Sequence, residues 1–382
     1  TFARNVAEVL TANGVQVALC KSDAPTPVIA FEILHRKAAG SVNVTASHNP
    51  PDYSGIKFST SWGGPALPEV TRYIEERCAY YLNEGKIISR IPLSEGRKKK
   101  LVVDFDPAPH YLKHMKNLVD FSVLKKAKLS VVCDLIYGTA RNYLDLLLKE
   151  SGCRVTVMHN WRDVLFGGHA PEPSMEHLSE LIALMKKQKS DLGLGTDGDA
   201  DRFGIVDSDG SFIQPNEILP LLLDHLVRTR KWKGVVARSV MTSHFLDAVA
   251  RMHGIEVRET PVGFKYIAEV MLKEEFILGG EESGGLTIKG HIPEKDGILA
   301  CMLLTEVRAA SKKSLRECLK DLEKKVGSFY TERQNLHLPP EKMSALKDKL
   351  SSHPPTSLGD FSVKRIIDLD GFKFMLKDNS WV

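Results

Sequence analysis

An α/β fold built from repeated similar layers is what this sequence predicts, and three observations carry the prediction. Helix-like stretches alternate with short apolar strands, and Gly marks the switch at Asn13-Gly14, Ser151-Gly152, Gly234 and Gly254. That alternation belongs to α/β layers around a largely parallel sheet. The strand, helix, Gly, strand cassette returns at least three times, which points to repeated domains. Finally, 382 residues are too many for one ordinary core.

The elements follow in order. Residues 2–13 read as a helix because Phe2, Val6, Val9 and Leu10 share a face and Gly14 stops it. A strand over 15–19, a helix over 28–38 and a strand over 41–44 follow. Residues 128–134 read as a buried strand, 139–150 as a helix and 154–157 as a strand. The strand over 191–195 leads straight into an acidic triplet. Next come a helix over 218–228, a strand over 234–238, a helix over 243–253 and a strand over 254–259. A charged helix over 315–325 and a strand over 371–376 complete the series. Pro and Gly clusters interrupt the periodic elements, with a linker expected at Asp104-Phe105-Asp106-Pro107-Ala108-Pro109. The expected domains are 1–105, 106–212, 213–326 and an incomplete 327–382.

Composition narrows the function. Hydrophobic residues make up 43% and charged residues 26%, with a net charge of +4. The balance suits an anionic small substrate and is too weak for nucleic acid. The six cysteines are scattered without a CxxC pair, so reduced thiols in a cytoplasmic enzyme are expected. No apolar stretch is long enough for a bilayer, and no signal-like segment opens the chain. Thr1 leads directly into a helix, and Val382 stops in mid-pattern; both ends are therefore expected to be cut.

Three short segments carry chemistry. Asp197-Gly198-Asp199-Ala200-Asp201-Arg202 places carboxylates at alternate positions. In an extended loop these point the same way, and three hard oxygen donors suit Mg²⁺. An EF-hand is excluded, since Arg202 stands where that loop needs Gly and Ser208 where it needs Glu. Arg202 is a candidate phosphate ligand. Ser47 lies in Thr45-Ala46-Ser47-His48-Asn49-Pro50, after a strand and before a Pro-enforced turn that exposes its hydroxyl. His48 is placed to move a proton or hold a phosphate oxygen, and Lys57 to act as a base or a phosphate ligand. These residues alone leave a purely structural turn as an open reading of Ser47. Gly280-Glu281-Glu282-Ser283-Gly284-Gly285 has neither the Walker A ending nor GxGxxG spacing. Its carboxylates suit hydrogen bonds from sugar hydroxyls, with an acidic hairpin tip as the alternative. Lys265 and Arg238 are phosphate-contact candidates or ordinary surface cations.

Together these motifs resemble the α-D-phosphohexomutase superfamily. The Ser47 segment is similar to its phosphoserine loop, the acidic triplet to its Mg²⁺ loop and the Glu281–Ser283 segment to its sugar-recognition loop, all in family order. The resemblance spans essentially the whole chain. It implies three similar α/β/α domains with mixed, largely parallel sheets, plus the start of a fourth α+β domain, around a central cleft. It also implies that phosphorylated Ser47 donates to a hexose monophosphate. A hexose 1,6-bisphosphate then turns over in the cleft, acting as intermediate and activator, and returns its other phosphate. Asp197, Asp199 and Asp201 would hold Mg²⁺ with an oxygen of Ser47, Lys57 would be the candidate base, and Glu281 and Ser283 would read sugar hydroxyls. Glu-Glu-Ser is similar to the glucose type, so glucose phosphate ranks first, mannose phosphate second and glucosamine phosphate third. Gly285 stands where some relatives carry a His, so no acid/base is expected there. The family's first strand, with its phosphate-contacting Arg, would precede Thr1, and its Ser/Gly/Thr-rich phosphate loop would follow Val382. A longer natural protein is therefore expected, and a chain ending at Val382 is expected to be a poor mutase. Rival readings are a sugar bisphosphate synthase and a non-catalytic sugar-phosphate- or metal-binding paralogue. A monomer or dimer with hexose phosphate partners, and neither nucleic acid nor membrane, is expected.

Overall fold

The computed structural model describes residues 2–334 and 336–382. Helix Phe2–Ala12 forms as its apolar spacing requires. In the first domain, β1 (Val17–Cys20), β2 (Gly40–Val44), β3 (Ile56–Thr60) and β4 (Val102–Phe105) make two pairs, β1–β4 parallel and β2–β3 antiparallel. β1 starts two residues later than the sequence pattern implies. The linker expected at 104–109 is mostly structured. Asp104 and Phe105 complete the β4 ladder, and helix Ala108–Leu118 begins at once, leaving Asp106 and Pro107 between them. Pro at the first positions of that helix explains the sharp start, because it fixes φ and has no N–H to lose.

The second domain holds β5 (Ser130–Asp134), β6 (Arg154–Met158), β7 (Leu192–Thr196), β8 (Phe203–Asp207) and β9 (Phe212–Ile213), ordered β6-β5-β7-β8-β9. The third holds β10 (Val235–Ser239), β11 (Val257–Thr260), β12 (Phe276–Glu281) and β13 (Gly285–Ile288), ordered β11-β10-β12-β13. Apart from β9, the two sheets share one plan. The first three strands run parallel and the fourth returns as an antiparallel hairpin. The repeat expected from the sequence is thus a repeat of topology. Beyond it, β14 (Ser357–Leu358), β15 (Phe361–Ile367) and β16 (Lys373–Leu376) form a small antiparallel sheet. It is tied to the third domain by Lys373, whose ammonium donates to Val240 O and Glu259 Oε1, each at 2.8 Å.

Helix Gly297–Ser311 is the common core. Twelve of its fifteen residues are buried. It packs on β7 and β8 of the second domain and on β13 and helix Pro215–Arg230 of the third. Each fully buried Leu or Ile there, such as Ile298, Leu299 and Leu303, contributes about 1.5–3 kcal/mol of apolar transfer. Asp296 caps its N-terminus, Oδ1 accepting from Leu299 N at 2.9 Å.

The helix expected over 139–150 begins only at Leu144. The preceding turn is held against the acidic loop. A Cβ on Gly138 would lie 2.8 Å from Gly198 O, and Thr139 N donates to that same carbonyl at 2.9 Å. Asn142, at φ 64°, breaks the helical path.

Candidate active site

All three segments singled out by sequence sit at hairpin tips: 45–55 between β2 and β3, 197–202 between β7 and β8, and 282–284 between β12 and β13. The acidic loop is not extended. Ala200 N donates to Asp197 O at 3.1 Å and Ala200 takes φ 60°, making a tight turn. The turn, not strand alternation, aims the carboxylates. They converge nonetheless, with one oxygen from each of Asp197, Asp199 and Asp201 within 4.8 Å of the others, and all three residues are buried.

Each carboxylate has one oxygen held. Arg202 N donates to Asp197 Oδ1 at 3.0 Å. Asp199 Oδ2 accepts from Thr26 Oγ1 at 2.8 Å, Lys57 Nζ at 3.0 Å and Thr45 Oγ1 at 3.3 Å. Asp201 Oδ2 lies 3.0 Å from Lys295 Nζ and 3.6 Å from Lys57 Nζ, ion pairs not aligned as hydrogen bonds. Among the described residues, Asp197 Oδ2, Asp199 Oδ1 and Asp201 Oδ1 are buried without a hydrogen-bond partner. Buried carboxylate oxygens without partners are costly. Three converging carboxylates that keep such oxygens fit a hard divalent cation such as Mg²⁺. Burial and the charges of Asp201 and Asp199 push the Asp197 carboxyl well up. Burial acts the same way on Asp201, but Lys295 and Lys57 outweigh it and bring that carboxyl down to about 2.

The serine loop touches the acidic loop through backbone. A Cβ on Gly198 would stand 3.0 Å from Ser47 O and 3.0 Å from Pro171 Cγ, so any larger residue would press the two loops apart by a few tenths of an ångström. Ser47 takes φ 57° and its N–H donates to Thr45 Oγ1 at 2.8 Å. The Asn-Pro turn forms as expected, Asn49 N and Nδ2 both donating to Ala46 O. His48 Nδ1 lies 3.4 Å from Ser47 Oγ. Burial, then the Arg202 charge, lower the His48 pKa, so its imidazole is neutral near pH 7 and able to take a proton. Lys57 behaves oppositely. Burial works against its charge, but Asp199 and Asp201 prevail and raise its pKa. Its ammonium donates to Asp199 Oδ2 at 3.0 Å and is a counter-charge to Asp201.

Ser47, Thr45, Asn49, Tyr53 and Lys57 surround a hollow of about 230 Å³. The adjoining cleft, about 540 Å³, is lined by His48, Arg202, Glu281 and Ser283. Glu281 ends β12, accepts from Gly263 N at 2.8 Å, and has its carboxyl pKa raised by burial. Glu282 is held by Ser239 Oγ at 2.8 Å. Lys265 starts helix Phe264–Lys273 beside the cleft, but its ammonium lies 5.1 Å from the Tyr266 ring centroid and it does not line the cavity. Arg238 is corrected outright. It is 3% exposed, with Nε and Nη2 on Asp247 at 2.6 and 2.8 Å and Nη1 on Glu259 at 2.8 Å. That guanidinium cements the third domain's sheet to a helix and is not turned to a ligand. Sequence reasoning missed Lys295, Glu172 and Arg333, which also line the cleft. The available signal for Lys295 was the run Pro293-Glu294-Lys295-Asp296-Gly297, polar residues between a Pro and a helix start.

Three α/β/α domains that carry in turn a serine loop, an acidic triplet and a Gly-Glu loop at their hairpin tips define the phosphohexomutase class. Comparison with known proteins agrees. Residues 1–83, 109–210 and 214–326 match, in turn, the alpha/beta/alpha domains I, II and III of "Phosphoglucomutase/phosphomannomutase". The chain therefore belongs to the phosphoglucomutase/phosphomannomutase family. It is 30% identical to a phosphoglucomutase/phosphomannomutase of Thermococcus kodakarensis, over 94% of this chain and 74% of that protein. It is 31% identical to human phosphoglucomutase-1, over 85% of this chain and 63% of that protein. A crystal structure of a putative phosphomannomutase from Thermus thermophilus superposes with a TM-score of 0.85 at 30% identity, covering all of this chain and 80% of that one. Among the described residues, no helix is long and apolar enough to cross a membrane.

Proposed function

We propose that this chain interconverts hexose 1-phosphate and hexose 6-phosphate through phosphorylated Ser47 and a hexose 1,6-bisphosphate, with glucose phosphate preferred and mannose phosphate accepted. The observation that carries the reading is the meeting of the serine hairpin and the acidic loop, with Ser47 O against Gly198 and with Thr45 Oγ1 and Lys57 Nζ on Asp199 Oδ2. In the forward half-reaction the phosphorus–Oγ bond of phosphoserine breaks and a bond to a sugar hydroxyl oxygen forms. The hydroxyl proton goes to a base, for which His48 beside Ser47 and Lys57 are the candidates. In the return half-reaction the bond from the other phosphorus to its sugar oxygen breaks, that oxygen takes back the proton held by the base, and a phosphorus–Ser47 Oγ bond forms. Asp197, Asp199 and Asp201, with a phosphoserine oxygen, would hold Mg²⁺, which when bound offsets charge on the transferring phosphoryl group. Lys57 and Arg202 add positive charge, while Glu281 and Ser283 accept from and donate to sugar hydroxyls.

The test is intact-mass measurement after incubation with glucose 1,6-bisphosphate. A gain of one phosphate in the parent that is missing in Ser47→Ala is expected, together with loss of mutase activity. Ser47→Ala protein that still interconverts glucose 1-phosphate and glucose 6-phosphate would sink the mechanism. For sugar preference, kcat/KM on glucose 1-phosphate should exceed that on mannose 1-phosphate.

A further inference from the structure

We propose that Thr26 is a positioning residue for the acidic loop: it fixes which oxygen of Asp199 is offered to a divalent cation. The proposal rests on the metal reading of that loop. Thr26 comes from the first domain and opens helix Thr26–Arg36, flanked by Pro25 and Pro27. It is 5% exposed. Its N–H, one of the donors that a helix start leaves without an intrahelical partner, donates to Asp199 O at 2.9 Å. Its hydroxyl donates to Asp199 Oδ2 at 2.8 Å. One residue thus grips both the main chain and the side chain of Asp199 across a domain junction.

The other donors to Asp199 Oδ2 are less committed. Thr45 Oγ1 is farther away, at 3.3 Å, and also serves Ser47 N. The Lys57 side chain is 39% exposed and shared with Asp201. Thr26 supplies the shortest and most buried contact, and its backbone bond to the same residue keeps that contact in register. With Oδ2 engaged by three donors, rotating the carboxylate would break all of them. Oδ1, which is buried with no hydrogen-bond partner among the described residues, is then the oxygen left free for a cation. Partners of this kind behind a ligand typically tune metal affinity by about 10–100-fold.

The experiment is direct Mn²⁺ binding, by electron paramagnetic resonance and by calorimetry with Mg²⁺ competition. The proteins are the parent chain, Thr26→Val, Thr26→Ser and Asp199→Asn. Val keeps the branched shape and the N–H and loses only the hydroxyl; Ser keeps the hydroxyl. Thr26→Val is expected to bind Mn²⁺ about 10-fold or more weakly, with Thr26→Ser recovering most of the affinity. A merely structural role would lower Tm without moving the Mn²⁺ dissociation constant. Parent-like affinity in Thr26→Val beside lost affinity in Asp199→Asn would overturn the role of Thr26 alone. Parent-like affinity in Asp199→Asn would overturn the metal reading itself. If Thr26→Val does not fold, Thr26→Ala, which also keeps the N–H, takes the same measurement with the same two outcomes.

Discussion

Acidification should loosen the junction of the three domains through His114, and the structure sets the size of the effect. His114 lies on helix Ala108–Leu118, its ring stacked between Phe31 of the first domain at 4.8 Å and His291 of the third at 5.3 Å. Its Nε2 is 3.2 Å from His291 Nδ1, and His291 Nε2 is 2.8 Å from Asp296 Oδ2, which also accepts from Tyr111 OH at 2.7 Å. With the Asp296 carboxylate taking the Nε2 proton of His291, the Nδ1 lone pair accepts from His114. Burial, then the neighbouring His291, lower the His114 pKa from the ordinary 6.5 to about 4. The unfolded chain therefore binds more protons than the folded one between those values. Stability from this group is complete above about pH 6.5 and falls as pH drops toward 4. The full gap corresponds to at most about 3 kcal/mol; with solvent screening of this half-buried ring, about 2 kcal/mol or less is gone by pH 5. In thermal melts of a chain this long that is a loss of roughly 4 °C. The comparison is with His114→Gln, which keeps an N–H for His291 and does not titrate. Its Tm should fall less between pH 7.5 and pH 5, by roughly that amount. Parallel curves for the two proteins, or an NMR titration of His114 at its ordinary pKa, would refute the reasoning.

Two further outcomes follow from packing and charge. Gly297→Ala would bring a Cβ 2.2 Å from Arg202 O, beside the Gly297 N to Ala200 O bond of 3.0 Å. Overpacking of this kind costs about 1–3 kcal/mol, so both Tm and Mn²⁺ affinity should drop, and an unchanged pair of values would contradict the packing argument. Arg238→Met removes a buried guanidinium and leaves Asp247 and part of Glu259 unpaired, a loss of about 3–5 kcal/mol. Calorimetry should show that loss with KM for glucose 1-phosphate unchanged; a raised KM at constant Tm would return Arg238 to the cleft.

The site was legible where chemistry is dense and local. Asp197, Asp199 and Asp201 announce themselves because three carboxylates in five residues need a counter-charge, and Ser47 because Asn-Pro forces its turn. The repeat was legible because Gly punctuates each cassette. Thr26 was invisible, and Lys295 left only its polar run before a helix start, because their roles arise only when a segment of one domain meets another domain's loop. Arg238 was misread for the related reason that a sequence does not show whether a cation faces solvent or two partly buried carboxylates. The helix at Gly297–Ser311 escaped because it is apolar all round and so lacks the one-sided period that reveals a surface helix. The hairpin tips were read as loops after strands, since Gly-rich β7 and β12 give little sign that a partner strand returns beside them.

The shared helix also has a consequence in time. Packing places Gly297–Ser311 in the core of the second domain as much as the third, so β7 and β8 cannot finish burying their apolar faces when they leave the ribosome. They wait for the 104 residues that follow Asp207 up to and including Ser311 (311 − 207), roughly 5–20 s of synthesis at ordinary elongation rates. During that interval the acidic loop has no back wall and its strands are open to wrong partners. The second domain is thus a unit of architecture without being a unit of folding. A nascent chain arrested between these points should engage holdase chaperones, and release once residue 311 emerges should coincide with the first gain of cation binding.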